Sequence, residues 1–294
     1  MNETLEWRFK GSEKLATDRT LCMGILNVTP DSFSDGGQHQ DVSNCLKTAR
    51  DMILNGADII DIGGESTRPG CDIVSAKEEQ DRIIPVFSAI SNQILNDTSD
   101  KLAQSRHVLL SVDTYKAITA RAALENGCHI INDIHGFRKD PDMAHVASEF
   151  GCGVILMFNN QEQQNDVSEK SNIVTKACTA LATSIEIAIQ AGVDEHAIML
   201  DPGIGFGTTR EEDVELIKGI REISFNGRYK ILAAGSRKRI VNSLLGEDHP
   251  PEKRVLGSVG LALASVSNGA DCVRVHDVLE TREALRVFEK LTAK

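Results

Sequence analysis

The stretch that decides the fold is Leu21–Val28, LCMGILNV, an apolar run that is followed by a long segment with helical periodicity. Seven more short apolar runs alternate with helical segments along the chain; they are Asp58–Ile62, His107–Val112, Cys128–Asp133, Gly153–Met157, Ala197–Leu200, Tyr229–Ala234 and Asp271–Val275. Nearly continuous apolar runs are typical of parallel strands that helices cover. The alternation predicts an α/β fold, a (β/α)8 TIM barrel, with a doubly wound open sheet as the alternative.

Residue types at the ends of the helical segments support this alternation. Thr209 followed by Glu212 fits a capping box, in which each side chain binds the backbone N–H of the other residue. Asp140 followed by Pro141 fits an N-cap and the first position of a helix.

The chain reads as one domain, residues 1–294, because no linker-like change of composition divides it. Its 41% hydrophobic and 26% charged residues are typical of globular proteins. Before the first run, Leu5, Trp7 and Phe9 alternate with polar residues. This pattern predicts a short N-terminal hairpin strand that closes the barrel bottom.

Charge and hydropathy exclude several kinds of partner. A net charge of −11 argues against nucleic acid. Glycine and serine break the longest weakly polar stretch, Val255–Ala270, and the N-terminus lacks the apolar centre of a signal peptide, so we expect a cytoplasmic protein without a membrane partner. The seven cysteines contain no CxxC pair, and most are expected to be buried free thiols, namely Cys22, Cys128, Cys152 and Cys272.

Polar or charged residues end or directly follow every one of the eight runs. In a (β/α)8 barrel the carboxyl ends of all strands meet on one rim, where active sites lie. A single aspartate at a strand end is usually a helix cap, but eight polar ends on one rim exceed what capping requires. We therefore expect an active site there.

The rim residues have two chemical characters. One group can form an anion pocket, because guanidinium and ammonium groups bind phosphates and carboxylates; it comprises Asn27, Arg68, Lys238, Arg274 and His276. The other group would suit a flat heterocycle with an amidine-like edge, since carboxylates accept paired hydrogen bonds; it comprises Asp113, Asn132 and Asp201. Asn27 with Asp31 or Asp35 can also hold Mg²⁺.

Two weaker patterns do not change this interpretation. Gly203-x-Gly205-x-Gly207 differs in spacing from nucleotide-binding glycine loops, so we expect its glycines to permit close backbone approach. The eight histidines show no HExxH or paired-ligand spacing, which argues against a zinc site.

Five motifs in chain order resemble those of the bacterial dihydropteroate synthase family. They are Met23–Gly37 (MGILNVTPDSFSDGG), Gly64–Gly70 (GESTRPG), Asp201–Gly207 (DPGIGFG), Ser236–Lys238 (SRK) and Arg274–Asp277 (RVHD). The resemblance implies a (β/α)8 barrel of folate synthesis that uses Mg²⁺. It also implies the reaction, in which 6-hydroxymethyl-7,8-dihydropterin diphosphate and 4-aminobenzoate give 7,8-dihydropteroate and pyrophosphate.

The resemblance further implies roles for single residues. The pterin would contact Asp113, Asn132, Met157, Asp201 and Lys238. The diphosphate would contact Asn27, which also reaches the metal, and Arg68, Arg274 and His276. The 4-aminobenzoate pocket, where sulfonamides compete in this family, would comprise Phe33, Thr67, Arg68, Pro69, Phe206, Ser236 and Lys238. The catalytic residues would be Asp113, Arg68, Lys238, Arg274 and His276.

The chain departs from the family pattern at two places. The stretch after the fifth run is Met157-Phe158-Asn159-Asn160, where the family commonly has a His-Met-x-Gly type of sequence. Thr208 follows the GFG motif, where many members have lysine. The resemblance therefore assigns a role to Met157 but none to the loop that follows it.

Residues and resemblance together predict a displacement through a cation-like CH₂ on an electron-rich pterin. The cationic groups and Mg²⁺ would stabilise the departing negative charge, and Asp113, with Asp201 as a second candidate, would stabilise the positive ring. A pterin-dependent methyltransferase of the same barrel type is one alternative, but it does not need Arg68, Arg274 and the NVTPDSF loop together. A non-catalytic pterin-binding paralogue and a barrel without rim chemistry are the others.

The segment Leu256–Val266, LGSVGLALASV, is apolar around most of its circumference. A helix on the surface of a barrel should have a polar outer face. We therefore expect this helix at a homodimer interface, with burial under the C-terminal helix as the alternative.

Overall fold

The computed structural model describes residues 6–10, 19–28, 38–66, 73–95, 107–162 and 171–292. Within these residues, parallel strands close into a barrel in chain order, with β1 paired to β8. The strands are β1 (Leu21–Asn27), β2 (Ile59–Gly63), β3 (Leu109–Asp113), β4 (Ile130–Asp133), β5 (Gly153–Met157), β6 (Ile198–Asp201), β7 (Lys230–Ala233) and β8 (Cys272–Val275). The predicted (β/α)8 barrel is confirmed, and the closed ladder excludes an open sheet.

Helices alternate with the strands and cover the outside of the barrel. They are α1 (Gln38–Leu54), α2 (Ala76–Ile90), α3 (Ala117–Glu125), α4 (Met143–Phe150), α5 (Ile173–Gln190), α6 (Arg210–Lys218), α7 (Ile220–Ile223), α8 (Arg239–Leu245), α9 (Val255–Ser267) and α10 (Val278–Thr292). The outward side chains of the strands and the inner faces of the helices form the larger of two main apolar cores. The smaller one fills the lower interior of the barrel.

Trp7 closes the bottom of the barrel. Its buried ring packs on the interior core, and its Nε1–H donates to the carbonyl of Ala197 at 2.8 Å. Phe9 packs edge-on against it, with ring centroids 5.0 Å apart. Residues 6–10, the described part of the predicted hairpin, close the bottom as expected but do so without strand pairing.

The two predicted helix starts have different outcomes. The capping box at Thr209 is confirmed, since Glu212 N–H donates to Thr209 Oγ1 at 3.2 Å and Thr209 N–H donates to Glu212 Oε2 at 2.8 Å. The predicted N-cap at Asp140 is wrong, because α4 begins only at Met143. Asp140 Oδ1 accepts from Asp142 N–H at 3.1 Å just before α4, and Asp140 Oδ2 accepts at 2.8 Å from the N–H of Ala117, the first residue of α3.

Burial also accounts for two features of composition. Helix α5 is long and apolar enough, by length and composition alone, to cross a membrane, but its Ala177 and Leu181 face packs against the barrel. The four cysteines expected to be buried free thiols are so, namely Cys22, Cys128, Cys152 and Cys272.

Candidate active site

Alternation along the strands places polar side chains above the interior apolar core. Residues two positions apart on a strand point to the same face. Ile59, Ile130 and Cys272 belong to the interior core. The residues two positions further on therefore point into the barrel as well, one layer closer to the carboxyl-end rim; they include Asp61, Ser111, Asn132, Met157, Asp201 and Arg274.

Arg274 bridges two carboxylates at the centre of this layer. Its Nε donates to Asp61 Oδ2 at 2.6 Å, and its Nη2 donates to Asp113 Oδ2 at 2.7 Å. Asn132 Nδ2 donates to the same oxygen of Asp61 at 3.2 Å. The barrel mouth therefore holds a continuous ionic network over β2, β3, β4 and β8.

Burial shifts the protonation equilibria in this network. It raises the pKa of Asp113 to about 7; Arg274 opposes the shift by its positive charge, whereas Asp61 adds to it by repulsion. Burial also raises the pKa of Asp201, against the opposing charge of Lys238. Burial alone would lower the pKa of Arg274, but the attraction of Asp61 and Asp113 outweighs it and raises that pKa.

Lys238 lies on the opposite side of the mouth, at the amino end of α8. Its Nζ donates to the carbonyl of Ile204 at 2.6 Å and lies 4.6 Å from the centroid of the Phe206 ring. Burial lowers its pKa to about 8, although the charge of Asp201 works in the other direction. An ammonium of this kind can donate hydrogen bonds and can also lose its proton near neutral pH.

The glycine loop after β6 is held by close backbone contacts. A Cβ on Gly203, where φ is +73°, would lie 1.7 Å from the carbonyl oxygen of Phe158. The Gly203 N–H donates to Asp201 Oδ1 at 2.8 Å. The loop therefore orients a site carboxylate, which agrees with the interpretation that its glycines permit close approach.

Both departures from the family pattern support this loop. Asn160 Nδ2 donates to the carbonyl of Gly207 at 2.7 Å, and its backbone N–H donates to the carbonyl of Phe206 at 3.1 Å. Thr208 Oγ1 donates to Asp213 at 2.5 Å and accepts from Gly205 N–H at 3.2 Å. The stretch after Met157 thus braces the glycine loop.

The ends of β7 and β8 are joined by a serine and a histidine. Ser236 Oγ lies 3.1 Å from His276 Nδ1 and accepts from His276 N–H at 3.2 Å.

Met157 is buried at the end of β5, beside Asp201 in the ladder. Asn27 is exposed at the end of β1, beside Gly63.

The structure therefore brings most described site candidates to one mouth. Two subsets are in direct contact, namely Asp113 with Arg274 and Ser236 with His276, while Phe206 lies under the ammonium of Lys238. The candidates outside the described residues are Asp31, Phe33, Asp35, Thr67, Arg68 and Pro69.

Sequence reasoning assigned no role to Asp61. It is completely buried, and its Oδ1 has no hydrogen-bond partner among the described residues; the same holds for Ser111 Oγ, which belongs to the neighbouring residue in the ladder. A buried acceptor without a hydrogen-bond partner carries a desolvation cost. In native proteins such a group is often explained by a functional role. The available signal was a lone aspartate inside an apolar strand, two positions after an inward isoleucine.

Comparisons with known proteins identify the family of this chain. Residues 23–276 match the family of pterin binding enzymes. The dihydropteroate synthase of Clostridium beijerinckii is 43% identical over 92% of this chain and 94% of its own length. A dihydropteroate synthase from Clostridium difficile, solved in the presence of pteroic acid, has a TM-score of 0.83 and 39% identity, covering 94% of this chain and 98% of its own.

A dihydropteroate synthase from Xanthomonas albilineans with 4-aminobenzoic acid has a TM-score of 0.82 at 37% identity, and the match covers 94% of both chains. These relatives share the barrel and nearly their whole length with this chain. The chain therefore belongs to the pterin-binding enzymes and, among them, to the dihydropteroate synthases of folate biosynthesis.

Proposed function

We propose that the barrel mouth joins 6-hydroxymethyl-7,8-dihydropterin diphosphate to 4-aminobenzoate, and that its buried ionic network drives the step. Arg274 is paired with Asp61 and Asp113 in this network, and Asp201 and Lys238 lie near it in the mouth. These three carboxylates and two cations together carry one excess negative charge when all five groups are ionised. That excess is the observation that carries the proposal, because it favours a ligand that becomes positive during reaction.

The pterin ring would lie against the inward groups of β3 to β6. Asp201 is held by Gly203 N–H on one oxygen and offers the other to an amidine-like edge. Asp113 and Asn132 would bind further ring N–H and carbonyl groups, and the Met157 side chain would pack on the ring face. Lys238 would donate to a ring acceptor from the other side.

The diphosphate would lie at the open rim. The proposed contacts are Asn27, Arg68, Arg274 and His276. Arg274 now donates to both Asp61 and Asp113. It would bind an anion by giving up one of these carboxylates, which requires a rotation of its side chain.

For Mg²⁺, Asn27 is a fitting ligand. Its exposed amide lies at the carboxyl end of β1. Mg²⁺ takes one or two protein oxygens and fills its other positions with water and phosphate. Within the described residues, no group of three or more His, Cys, Asp or Glu is placed to hold a metal on its own. When bound, the ion would neutralise charge on the leaving pyrophosphate.

The 4-aminobenzoate would bind above the pterin. The proposed pocket comprises Phe33, Thr67, Arg68, Pro69, Phe206, Ser236 and Lys238. Among these, Phe206 and Lys238 already form a stacked pair, and Ser236 is fixed by His276. An aromatic ring, an alkyl chain with a cationic head and a hydroxyl together suit a flat aromatic carboxylate.

The reaction breaks the C–O bond between CH₂ and diphosphate and forms a C–N bond to the aryl amine. The bonding electrons leave with pyrophosphate, and the positive charge spreads into the pterin ring beside Asp113. The amine nitrogen then attacks the CH₂ and becomes acidic only after it has bonded, so its proton can pass to a released phosphate oxygen or to water. Asp113, Lys238, Arg274, His276 and Arg68 would be the catalytic groups. Neither a methyltransferase nor a non-catalytic role is favoured.

Assembly and location complete the proposal. Leu256 on α9 is 85% exposed, and Leu244 on the adjacent α8 is 59% exposed. Such an apolar face suits a homodimer, and we place the enzyme in the cytoplasm. Ser258, Leu261, Ala262 and Ser265 are the buried residues of α9, so within the described part of the chain α10 leaves the outer face of α9 open.

A direct assay tests the reaction. Pyrophosphate release should require both substrates, and mass spectrometry should detect dihydropteroate. Pterin binding without release of pyrophosphate in the presence of 4-aminobenzoate would reduce the protein to a pterin-binding paralogue.

A further inference from the structure

Two charged residues of the motifs SRK and RVHD have no role in the proposed function. Arg237 lies between Ser236 and Lys238, and Asp277 directly follows His276. Each is therefore a direct chain neighbour of residues in the proposed site.

The two side chains form a bidentate ion pair across the ends of β7 and β8. Arg237 Nε donates to Asp277 Oδ2 at 3.0 Å, and Arg237 Nη2 donates to Asp277 Oδ1. The pair is largely shielded, since 28% of the Arg237 side chain and 11% of the Asp277 side chain are exposed. The carbonyl of Asp277 also accepts from Thr281 N–H at 3.1 Å, which places its carboxylate at the positive amino end of α10.

The backbone of Arg237 adopts a conformation that arginine rarely takes. Its φ is +58°, in the left-handed region, which costs free energy for any residue with a Cβ. Its N–H donates to Ser258 Oγ at 2.9 Å, and its carbonyl accepts from Arg254 Nη1 at 2.8 Å. The peptide is thus held by α9 and the turn before it, and the side chain is held by Asp277.

The left-handed turn decides where the two neighbours of Arg237 point. Ser236 points to His276, and Lys238 points to the carbonyl of Ile204 and the ring of Phe206. Relaxation of Arg237 to an ordinary conformation would rotate both side chains away from these partners.

We propose that Arg237 and Asp277 are positioning residues: their ion pair stabilises the left-handed turn that presents Ser236 and Lys238 to the substrates, and it locks this turn to the loop that carries His276. The inference rests on the proposed function of those three residues. The competing explanation is an ordinary surface ion pair, which contributes little to stability and nothing to catalysis.

The test compares Arg237→Ala, Arg237→Gly, Asp277→Ala and the double variant R237A/D277A. Arg121→Ala is the matched control, because Arg121 forms a bidentate pair with Glu149 at 2.9 and 2.7 Å between α3 and α4, away from β7 and β8. For each variant, kcat, the Michaelis constants for both substrates and the melting temperature are measured.

We expect Arg237→Ala to lower kcat/KM roughly 10- to 100-fold, mainly through a lower kcat and weaker capture of the aryl amine substrate. Arg237→Gly should be more active than Arg237→Ala, because glycine adopts the left-handed turn without strain. The double variant should be no worse than Arg237→Ala, since the two residues act as one unit. Arg121→Ala should keep the activity of the unmodified enzyme.

Equal kcat/KM for Arg237→Ala and the unmodified enzyme would overturn the proposal, as would equal losses for the alanine and glycine variants or additive losses in the double variant. A fall in melting temperature alone would assign the pair to stability. Failure of the unmodified enzyme to release pyrophosphate would instead count against the proposed function, so the two failures are distinguishable.

Discussion

Arg274 Nε lies 2.6 Å from Oδ2 of Asp61, a carboxylate that is completely buried in the barrel interior. The same guanidinium donates to Asp113 at 2.7 Å, so a single positive charge lies between the two carboxylates and holds them close together. The protonation state of Asp113 is therefore tied to Asp61, a residue that need not touch substrate.

Asp61→Asn should loosen Arg274 and lower the pKa of Asp113 below about 7, because repulsion from Asp61 raises that pKa. Loss of a charge-assisted hydrogen bond should lower the free energy of unfolding by about 1.5–3 kcal/mol. Denaturant unfolding and the pH dependence of kcat/KM measure the two effects. Ser111→Ala, next to Asp61 in the ladder, is the control and should be nearly neutral, because its hydroxyl has no partner among the described residues. An unchanged pH profile in Asp61→Asn would show that Asp61 does not influence the pKa of Asp113.

Asp201→Asn should abolish useful pterin binding. One acceptor oxygen becomes an N–H group that faces a ligand donor, which should cost about 2–4 kcal/mol of binding free energy. Titration calorimetry with a pterin, on a variant whose melting temperature confirms folding, makes the measurement. Near-normal affinity would remove Asp201 from the pterin site.

The pH profile of kcat/KM should be a narrow bell. Ionised Asp113, with a pKa of about 7, is needed on the acid side, and protonated Lys238, with a pKa of about 8, on the alkaline side. Asp113→Asn should remove the acid limb and Lys238→Gln the alkaline limb. A profile that stays flat below pH 7 and above pH 8 in the unmodified enzyme would contradict this assignment.

The raised pKa of Asp113 should also make the stability of the folded protein depend on pH. Its folded pKa is raised, so the folded protein holds a proton that the unfolded chain releases at lower pH. Its contribution is fully present below the unfolded pKa of about 3.9 and is lost as pH rises through about 7. Thermal unfolding between these values should show a smaller pH dependence in Asp113→Asn; an identical dependence in both proteins would contradict the raised pKa.

Gly203→Ala should be far more damaging than Gly246→Ala. The two glycines have φ of +73° and +71°, so both variants carry similar backbone strain, about 1 kcal/mol. A Cβ at Gly246 meets nothing within 4 Å, whereas one at Gly203 meets the Phe158 carbonyl at 1.7 Å. Chemical denaturation of both variants isolates the steric contribution. Comparable losses of stability in the two variants would mean that the loop after β6 shifts enough to accommodate the added methyl group.

Leu256→Glu should dissociate the proposed homodimer, because it places a charge on an 85% exposed leucine of α9. Light scattering at micromolar concentration should give twice the chain mass for the unmodified protein and the chain mass for the variant. A monomeric unmodified protein would refute this interface. Thr179→Glu on α5, an exposed position away from α9, is the control.

The strands could be predicted from sequence because each is a short apolar run. Gly153–Met157 is predicted to the residue, and the other runs differ from the observed strands by one or two positions at one or both ends. The local pattern begins α4 two residues too early, since an aspartate before proline usually caps the helix that follows it, whereas α4 begins at Met143. The second contact of Asp140, with the N–H of Ala117 in α3, depends on tertiary packing.

The site was predictable as a set of residues and not as a network. Strand ends converge in any (β/α)8 barrel, so Asp113, Asn132, Asp201 and Arg274 could be grouped from sequence. The bridge from Arg274 to Asp61 depends on a side-chain rotamer and on burial. Asp61 lies in the same layer as Asn132 and Asp201, but its place in the strand does not reveal which side chain it binds.

The closure of the barrel bottom by Trp7 has a consequence for how the chain folds. Trp7 binds Ala197, 190 residues further along the chain, so this contact closes a very long loop and should be among the last to form. Trp7 is also the single tryptophan of the protein. Its fluorescence therefore reports the sealing of the barrel floor separately from helix formation, and a late change in emission relative to far-ultraviolet circular dichroism would time that event.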